Sequence, residues 1–355
     1  MKNILFIIDS LGIGGAEKAL LSQAEEFYAL GYSITCVTIY DHIQFDIPPY
    51  IQLLTLNWKN YKVLKYKRNS KKLYSLIDDL DREFSVILVH LDKAINLMKH
   101  YTHPKIYNVV HNNITQQDIA KRVGIKKRLK LRNTRKLYCN LNLITVSKGI
   151  ERDLINNIQI KPNSIQTIYN SIDIEGLKVL SIEKNIVERD NYIVCVGRLV
   201  KQKRHDILLK AFKKSKLDTT LVLVGDGEDK DEIVELIKEL SLEDRVLLTG
   251  FTKNPYPIIK SAKLLLLTSE YEGFGIVLVE ALMLNTPIIS TDCPSGPNEI
   301  LIDKYNAYLT EVNDIEAISN KLKVVYSNSY NIEKRLYEKF ERSNITKQYL
   351  RLINA

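Results

Sequence analysis

Short apolar runs alternate along the chain with segments of helical period, and this pattern recurs in both halves. The predicted strands are Ile4–Ile8, Ile34–Ile39, Val86–Val89, Ile106–Val110, Leu143–Val146, Ile165–Ile168, Tyr192–Val196, Thr220–Val224, Val246–Thr249, Leu264–Leu267 and Pro287–Ser290. Amphipathic helices are predicted between them, among them Glu17–Leu30, Lys71–Arg82, His205–Lys216 and Asp231–Leu240. Strand–helix alternation of this kind predicts an α/β protein with two doubly wound parallel sheets.

The length of 355 residues suits two domains rather than one. Asp173–Asn191 has few apolar clusters and is interpreted as the linker. We therefore predict an N-terminal domain of residues 1–175 and a C-terminal domain of residues 176–355. The tail beyond Leu336 is charged and helical in pattern, and its final helix is free to pack back on the N-terminal domain.

Composition is that of a globular protein, with 45% hydrophobic and 26% charged residues. No apolar run is long enough to span a membrane, and Met1-Lys2-Asn3 leads into a strand rather than a signal peptide. The four cysteines are far apart and form no CxxC pair, which favours free thiols in a reducing cytosol. We expect a cytoplasmic protein.

The positive charge is concentrated in the first half. Residues 1–180 carry 26 basic against 16 acidic side chains, a net charge of +10, whereas the remainder carries −1. One basic run, 59–72, is interleaved with Trp58, Tyr61 and Tyr66, and includes Lys62. A second, Lys121–Lys136, has nine basic residues and no acidic one. An anionic membrane surface is the favoured partner, ahead of a solvated face and of nucleic acid.

A Glu-x₇-Glu segment, Glu272 to Glu280, follows the predicted strand Leu264–Leu267. Its Gly273-Phe274-Gly275 turn lets backbone amides approach a ligand, and the helix that follows favours anions at its start. Ligands of open α/β sheets bind beyond the carboxyl ends of the strands. Glu272 is thus a candidate for contacts with sugar hydroxyls, the alternative being a solvated glutamate on an ordinary loop.

A glycine-rich turn around Gly14 and Gly15 joins the first strand to the first helix and suits a phosphate. Glu17 stands where a dinucleotide fingerprint requires glycine, and no Gly-Lys-Ser/Thr ending follows. A nicotinamide enzyme using Asp41 for a ribose stays an alternative, as does a tight turn without a ligand.

Arg198 and Lys203 follow the first strand of the second domain, and together they suit a diphosphate. His111 follows Ile106–Val110 at another carboxyl end, where a structural histidine is the competing interpretation. The D-x-D patterns Asp79-Leu80-Asp81 and Asp229-Lys230-Asp231 lie in or beside amphipathic helices with basic neighbours. We interpret them as solvated, so no metal site is predicted.

Taken together, these motifs resemble the family 4 retaining glycosyltransferases of the GT-B fold, over nearly the whole chain. The Glu-x₇-Glu segment is the most specific feature. The corroborating motifs are Gly14-Gly15-Ala16-Glu17, Gly197-Arg198-Leu199 with Lys203, Thr286–Asp292 and Ser295–Ile300. Arg204 and Asn285 depart from the family pattern, which commonly has glycine at these places.

The resemblance implies two Rossmann-like domains with the active site in the cleft between them. It assigns the donor diphosphate to Arg198 and Lys203, the ribose to Glu280 and hydroxyls of the transferred sugar to Glu272, next to the donor-binding turn Gly273-Phe274-Gly275. It assigns the phosphate or acceptor side to Gly14 and Gly15 amides, the sugar near its reacting carbon to His111, and the base to backbone around Gly250-Phe251. Glu272, His111, Arg198 and Lys203 are the expected catalytic set.

The resemblance also implies the reaction. A hexose or N-acetylhexosamine would pass from a UDP-sugar, without a metal ion or cofactor, to a lipid-linked oligosaccharide or lipopolysaccharide. The acceptor would bind the N-terminal domain, and the enzyme would contact the inner face of the cytoplasmic membrane without binding nucleic acid. A UDP-sugar epimerase of the same fold and a non-catalytic nucleotide-binding membrane protein are the alternatives.

Overall fold

The computed structural model describes residues 2–12, 14–59, 64–80 and 82–354. The chain forms two compact units, one of residues 1–172 with 341–355 and one of residues 173–340. The first unit thus gives way to the second at Ile172, close to the expected boundary after residue 175. The C-terminal residues 341–355 return to the first unit, as the prediction left the final helix free to do, although the range given for the second domain ran to residue 355.

The first unit is built on a seven-stranded parallel sheet with the strand order β3-β2-β1-β4-β5-β6-β7. Its strands are β1 Asn3–Ile8, β2 Ser33–Thr38, β3 Ile51–Thr55, β4 Phe84–His90, β5 Ile106–Val110, β6 Asn142–Thr145 and β7 Ser164–Thr167. Its helices are α1 Gly15–Ala29, α2 Lys65–Asp78, α3 Asp92–Met98, α4 Gly124–Tyr138, α5 Lys148–Arg152 and, from the C-terminal end, α13 Arg342–Asn354. The strand order reverses between β1 and β4.

Helix α13 is held on α1 by charge and by aromatic packing. Arg342 forms ion pairs with Glu25 at 2.6 Å and Glu26 at 3.2 Å. The rings of Phe27 and Tyr349 meet edge to face with their centroids 6.3 Å apart. These contacts bury the apolar stripe of the last helix, which explains why the chain end belongs to the first unit.

The second unit has a six-stranded parallel sheet with the order β10-β9-β8-β11-β12-β13. Its strands are β8 Ile193–Val196, β9 Leu221–Val224, β10 Val246–Gly250, β11 Leu264–Leu267, β12 Ile288–Thr291 and β13 Leu309–Thr310. Its helices are α6 Ile174–Leu180, α7 His205–Ser215, α8 Lys230–Glu239, α9 Tyr256–Ser261, α10 Ile276–Met283, α11 Pro297–Ile300 and α12 Ile315–Ser327. The order reverses between β8 and β11.

The two doubly wound sheets confirm the predicted fold class, and several details differ from the prediction. Strand β3 and the two-residue β13 were not predicted. Helix α6 lies inside the segment interpreted as a linker, because Ile174 and Leu177 are buried there. Helix α2 begins at Lys65 rather than Lys71.

No helix of the described residues is long and apolar enough to cross a membrane. Within the described parts of the basic runs, Lys65–Lys72 falls on α2 and most of 121–136 falls on α4. Tyr61 and Lys62 lie outside the described residues, as does Asp81.

Candidate active site

Three of the predicted donor-binding residues lie on the loops where the strand order of the second sheet reverses. Arg198 and Lys203 follow β8, and Glu272 follows its neighbour β11. The chain leaves β8 toward β9 on one side, whereas β11 leads to β12 on the other. The loops after the two central strands therefore diverge and leave a crevice, which is the usual ligand position in open α/β sheets.

Lys203 and Glu272 form a buried ion pair. The Nζ of Lys203 lies 2.6 Å from Oε1 of Glu272, and their side chains are 15% and 8% exposed. Ser269 Oγ donates a second hydrogen bond to the same carboxylate oxygen at 2.6 Å. Two charges withdrawn from water need such mutual contacts, because either charge alone would be strongly destabilising there.

Hydrogen bonds to backbone carbonyls fix the loop that carries Lys203 to the loop that carries Glu272. Thr268 Oγ1 donates to the carbonyl of Lys203 at 3.0 Å. The N–H of Glu270 donates to the carbonyl of Gln202 at 2.8 Å, and the side-chain amide of Gln202 donates to the carbonyl of Tyr271 at 2.8 Å. The ion pair is therefore set by the two loops and not by flexible side chains alone.

Two glycines permit the close packing of loops around this crevice. Gly225 has a φ of +144°, and a Cβ there would lie 1.9 Å from the carbonyl oxygen of Gly197. Gly296 has a φ of +110°, and a Cβ there would lie 2.0 Å from the carbonyl oxygen of Phe274. No side chain fits at either position. Gly225 was not predicted as a site residue, although the Gly225-Asp226-Gly227 sequence after β9 is typical of a close approach between two backbone segments.

Both departures from the family pattern fall at left-handed backbone positions. Arg204 has a φ of +51° and Asn285 a φ of +60°, the region in which glycine is least strained. Asn tolerates this conformation, and Arg204 is held by two 2.9 Å bonds to the carboxylate of Asp206. The turns that glycine would form are therefore present in this chain.

Glu280 is a buried carboxylate within an apolar helix. Every residue of α10 from Val277 to Met283 is buried, and Glu280 is 3% exposed. The hydroxyl of Tyr256, at the start of α9, donates to its Oε1 at 3.2 Å. Sequence patterns did not identify Tyr256, because the two residues are brought together only by the packing of α9 on α10.

The remaining predicted residues of the second unit differ in exposure. Arg198 is exposed, and no described residue forms an ion pair with it. Phe251, after β10, is 45% exposed, and Gly250 beside it has a φ of +72°. Gly273, Phe274 and Gly275 are buried in the turn that precedes α10.

Two titratable groups near the ion pair, His205 and Cys195, are neutral at pH 7. Burial, with the nearby charge of Lys203, lowers the pKa of His205 to about 4. Burial raises the pKa of the Cys195 thiol to about 12. At neutral pH neither His205 nor Cys195 therefore adds a charge next to the ion pair.

In the first unit, Gly14 and Gly15 lie at the start of α1, with Gly14 at the N-cap. Ile13 lies outside the described residues. Asp9 follows β1, and its carboxylate accepts a 2.9 Å bond from the N–H of Ala94. Burial raises the pKa of Asp9 to about 6, despite the N–H of Ala94 and the charge of Lys93.

His111 follows β5, as the apolar pattern predicted, and it is buried with 8% exposure. Its Nε2 lies 2.9 Å from Nδ1 of His90, the last residue of the neighbouring strand β4. Burial lowers the pKa of His111 to about 4. His90 was not identified from the sequence, since a histidine at the end of an apolar strand carries no motif.

Within the described parts of the chain, no three His, Cys, Asp or Glu side chains are grouped as a metal site. Asp229 is buried at the start of α8 rather than solvated. The interpretation of Asp229 as a solvated residue was therefore wrong, because its backbone N–H bonds to the carbonyl of Leu199 and brings it against that loop. Independence from metal ions stays a prediction.

Family models match nearly the whole chain. The model described as Glycosyltransferase Family 4 matches residues 13–175, and the model described as Glycosyl transferases group 1 matches residues 179–343.

Curated relatives agree with these matches. One is the N-acetylgalactosamine-N,N'-diacetylbacillosaminyl-diphospho-undecaprenol 4-alpha-N-acetylgalactosaminyltransferase of Campylobacter jejuni subsp. jejuni serotype O:2. It is 29% identical over 375 aligned residues, which cover 99% of this chain and 100% of the relative. A lipopolysaccharide 1,6-galactosyltransferase of Escherichia coli is 31% identical over 54% of each chain.

Solved structures share the fold. HepE of Anabaena, in complex with UDP and glucose, superposes with a TM-score of 0.81 at 20% identity, with complete coverage of both chains. TarM superposes with a TM-score of 0.78 at 17% identity, covering 100% of this chain and 99% of its own.

Proposed function

The chain belongs to the glycosyltransferases of the GT-B fold, with a family 4 domain followed by a group 1 domain, and we propose that it transfers a hexose or N-acetylhexosamine from a UDP-sugar, with retention, to a lipid-linked or lipopolysaccharide glycan. The relatives from Campylobacter and Escherichia are named for such acceptors. The observation that carries the proposal is the Lys203–Glu272 pair at the reversal of strand order.

Lys203 and Arg198 provide the positive charge for the donor diphosphate. A lysine ammonium has three N–H donors. One reaches Glu272, so the others stay available to phosphate oxygens. Arg198 adds an exposed guanidinium from the same loop. Cations placed where a leaving group gains charge stabilise the transition state. We therefore infer that a metal ion is not needed, and turnover in excess EDTA tests this.

The two glutamates have separate roles. Glu272 is oriented by Lys203 and Ser269, and it accepts hydrogen bonds from hydroxyls of the transferred sugar. Glu280 is oriented by Tyr256 and accepts bonds from the ribose. The family resemblance assigns His111 to the sugar near its reacting carbon. The backbone around Gly250 and Phe251 holds the base.

Retention follows from front-side attack by the acceptor hydroxyl on the anomeric carbon. The bond from that carbon to the diphosphate oxygen breaks on the same face, and a phosphate oxygen of the departing UDP accepts the hydroxyl proton. Glu272 assists as a hydrogen-bond acceptor and not as a nucleophile, because its carboxylate is already bound to Lys203 and Ser269.

Helix α4 supports contact with the inner face of an anionic membrane. Val123, just before it, and Ile125 and Leu129 are 81%, 74% and 51% exposed. Lys126, Lys127 and Arg128 are exposed among them. Apolar side chains between basic ones suit a shallow position among anionic headgroups. This cytoplasmic surface would bring the enzyme to a lipid-linked acceptor, and nucleic acid is not proposed as a partner.

Donor recognition can be tested by thermal shift with UDP-, GDP- and ADP-sugars. We expect a UDP-sugar to raise the melting temperature most, Lys203→Ala to remove the shift, and Lys201→Ala to keep it. Lys201 is a matched control, since it lies two residues away and its pair with Glu232 is exposed. No shift with any nucleotide sugar would contradict the proposal. UDP release without an acceptor would favour the epimerase.

A further inference from the structure

A pair of buried histidines lies at the carboxyl edge of the first sheet. His90 ends β4 and His111 follows β5, the adjacent parallel strand. Nδ1 of His90 and Nε2 of His111 are 2.9 Å apart. The ring planes differ by 25° and the centroids lie 5.1 Å apart, an offset arrangement in which the facing nitrogens share one proton. One of the two rings must therefore donate this hydrogen bond and the other must accept it.

Burial keeps both rings neutral, since it lowers the pKa of His111 to about 4 and that of His90 well below the ordinary value. A neutral imidazole has one N–H and one bare nitrogen. Which nitrogen of His90 holds its proton then decides which nitrogen of His111 holds the other proton.

The surroundings of His90 determine the choice. Its Nε2 is sealed from solvent and has no hydrogen-bond partner among the described residues. The neighbouring ring of Phe6, with its centroid 5.9 Å away, is apolar. An orphaned buried N–H is rarer in proteins than an under-satisfied acceptor. The proton of His90 therefore belongs on Nδ1, where it is donated to Nε2 of His111.

We propose that His90 is a positioning residue that holds His111 as its Nδ1–H tautomer, so that His111 offers an N–H donor to an oxygen of the transferred sugar. The proposal rests on the proposed function, which assigns His111 to that sugar. Nδ1 of His111 makes no hydrogen bond to any described residue, so this donor is available. Without His90, the proton of His111 would be free to move to Nε2, and Nδ1 would become an acceptor.

Two substitutions of His90 separate positioning from packing. The His90→Leu substitution keeps much of the side-chain volume of His90 but removes its N–H donor. His90→Asn places an amide nitrogen where Nδ1 stood, so it retains the donor. We expect His90→Leu to lower kcat about tenfold or more with little change in the KM for the UDP-sugar, as for an interaction made in the transition state. We expect His90→Asn to recover most of this loss.

The tautomer can be read directly. Long-range ¹H–¹⁵N spectra of histidine-labelled protein report which ring nitrogen bears the proton, and the His111→Ala variant assigns the signal. The wild type and His90→Asn should show His111 protonated at Nδ1. An Nε2–H signature for His111 in the wild type would overturn the inference even if no variant of His90 folds.

Kinetics distinguish failure of this inference from failure of the site assignment. A folded His90→Leu enzyme with wild-type kcat, beside an inactive His111→Ala enzyme, would overturn only the role of His90. Wild-type turnover by His111→Ala would instead remove His111 from the proposed site, and the role of His90 with it. Circular dichroism of each variant confirms that the compared proteins are folded.

Discussion

The ammonium of Lys203 meets the carboxylate of Glu272 at 2.6 Å, between the loops that follow the two central strands of the second sheet. The pair joins the residue proposed for the diphosphate to the residue proposed for the sugar. Because both side chains are largely buried, the loss of one partner leaves the other as an uncompensated charge. We therefore expect function and stability to be coupled at this position.

Replacing Lys203 by Ala should lower turnover at least ~10²-fold, because the leaving diphosphate loses a cation. The variant should also unfold at a lower temperature than the wild type. Steady-state kinetics and thermal unfolding measure the two effects. Lys203→Met with Glu272→Gln should regain part of the stability but none of the activity. Near-normal transfer by Lys203→Ala would exclude it from the diphosphate site.

The two glutamates should differ in calorimetry with UDP alone. Glu280→Ala should weaken UDP binding because the ribose loses its acceptor, and Tyr256→Phe should weaken it less, since only the hydroxyl that orients Glu280 is lost. Glu272→Ala should bind UDP but lose turnover and sugar selectivity. Loss of UDP binding in Glu272→Ala, with unchanged binding in Glu280→Ala, would reverse the two assignments.

The residues of the candidate site show what a sequence can and cannot provide. Glu272, Glu280, Arg198 and Lys203 were identified from motifs, since strand ends and loop glycines follow local patterns. Their partners Ser269 and Tyr256 were not, because each contact depends on how separate segments pack.

The fold shows the same division. The limits of β5 and β11 were predicted without error, because each is an apolar run with clear ends. Strand β3 was not predicted, since Gln52 interrupts its apolar residues and the strand has a neighbour on only one side. The place of α13 also could not be predicted, because a charged tail does not show which surface it covers.

Helix α4 should direct the protein to anionic vesicles. Changing Lys126, Lys127 and Arg128 together to Gln should reduce co-sedimentation with these vesicles. Lys130 is left in place because it forms an ion pair with Asp118 at 2.5 Å. Binding should weaken with salt, because exposed charges are screened within ~8 Å at physiological ionic strength.

The control for this experiment changes three exposed lysines of the second unit, Lys210, Lys238 and Lys263, to Gln. It removes the same charge and should sediment like the wild type. Equal sedimentation of all three proteins with anionic and neutral vesicles would show that α4 does not bind the membrane.

Stability should fall as the pH drops from about 6.5 to about 4. His111 and His205 have a pKa of about 4 in the fold, against an ordinary value of 6.5. In this window the unfolded chain binds protons that the folded chain does not, which favours unfolding by up to ~1.4 kcal/mol per pH unit for each group. Asp9 acts in the opposite sense, because its pKa is raised from 3.8 to about 6.

Urea unfolding at pH 7 and pH 5 measures this dependence. His205→Gln should reduce the loss of stability between the two conditions, because one buried neutral histidine is removed. His100→Gln is the matched control at an exposed position and should leave the loss unchanged. Identical pH dependence in all three proteins would show that His205 does not contribute.

The proposed glycosyl transfer is tested most directly by assaying the reaction itself. The purified protein is incubated with UDP-hexoses or UDP-N-acetylhexosamines and a polyprenyl-diphosphate-linked saccharide or a lipopolysaccharide core, and both products are followed by mass spectrometry. We predict that one acceptor gains a single sugar while an equal amount of UDP is released, and that Lys203→Ala yields neither product. An unchanged acceptor with every donor, or equal transfer by Lys203→Ala, would contradict this prediction.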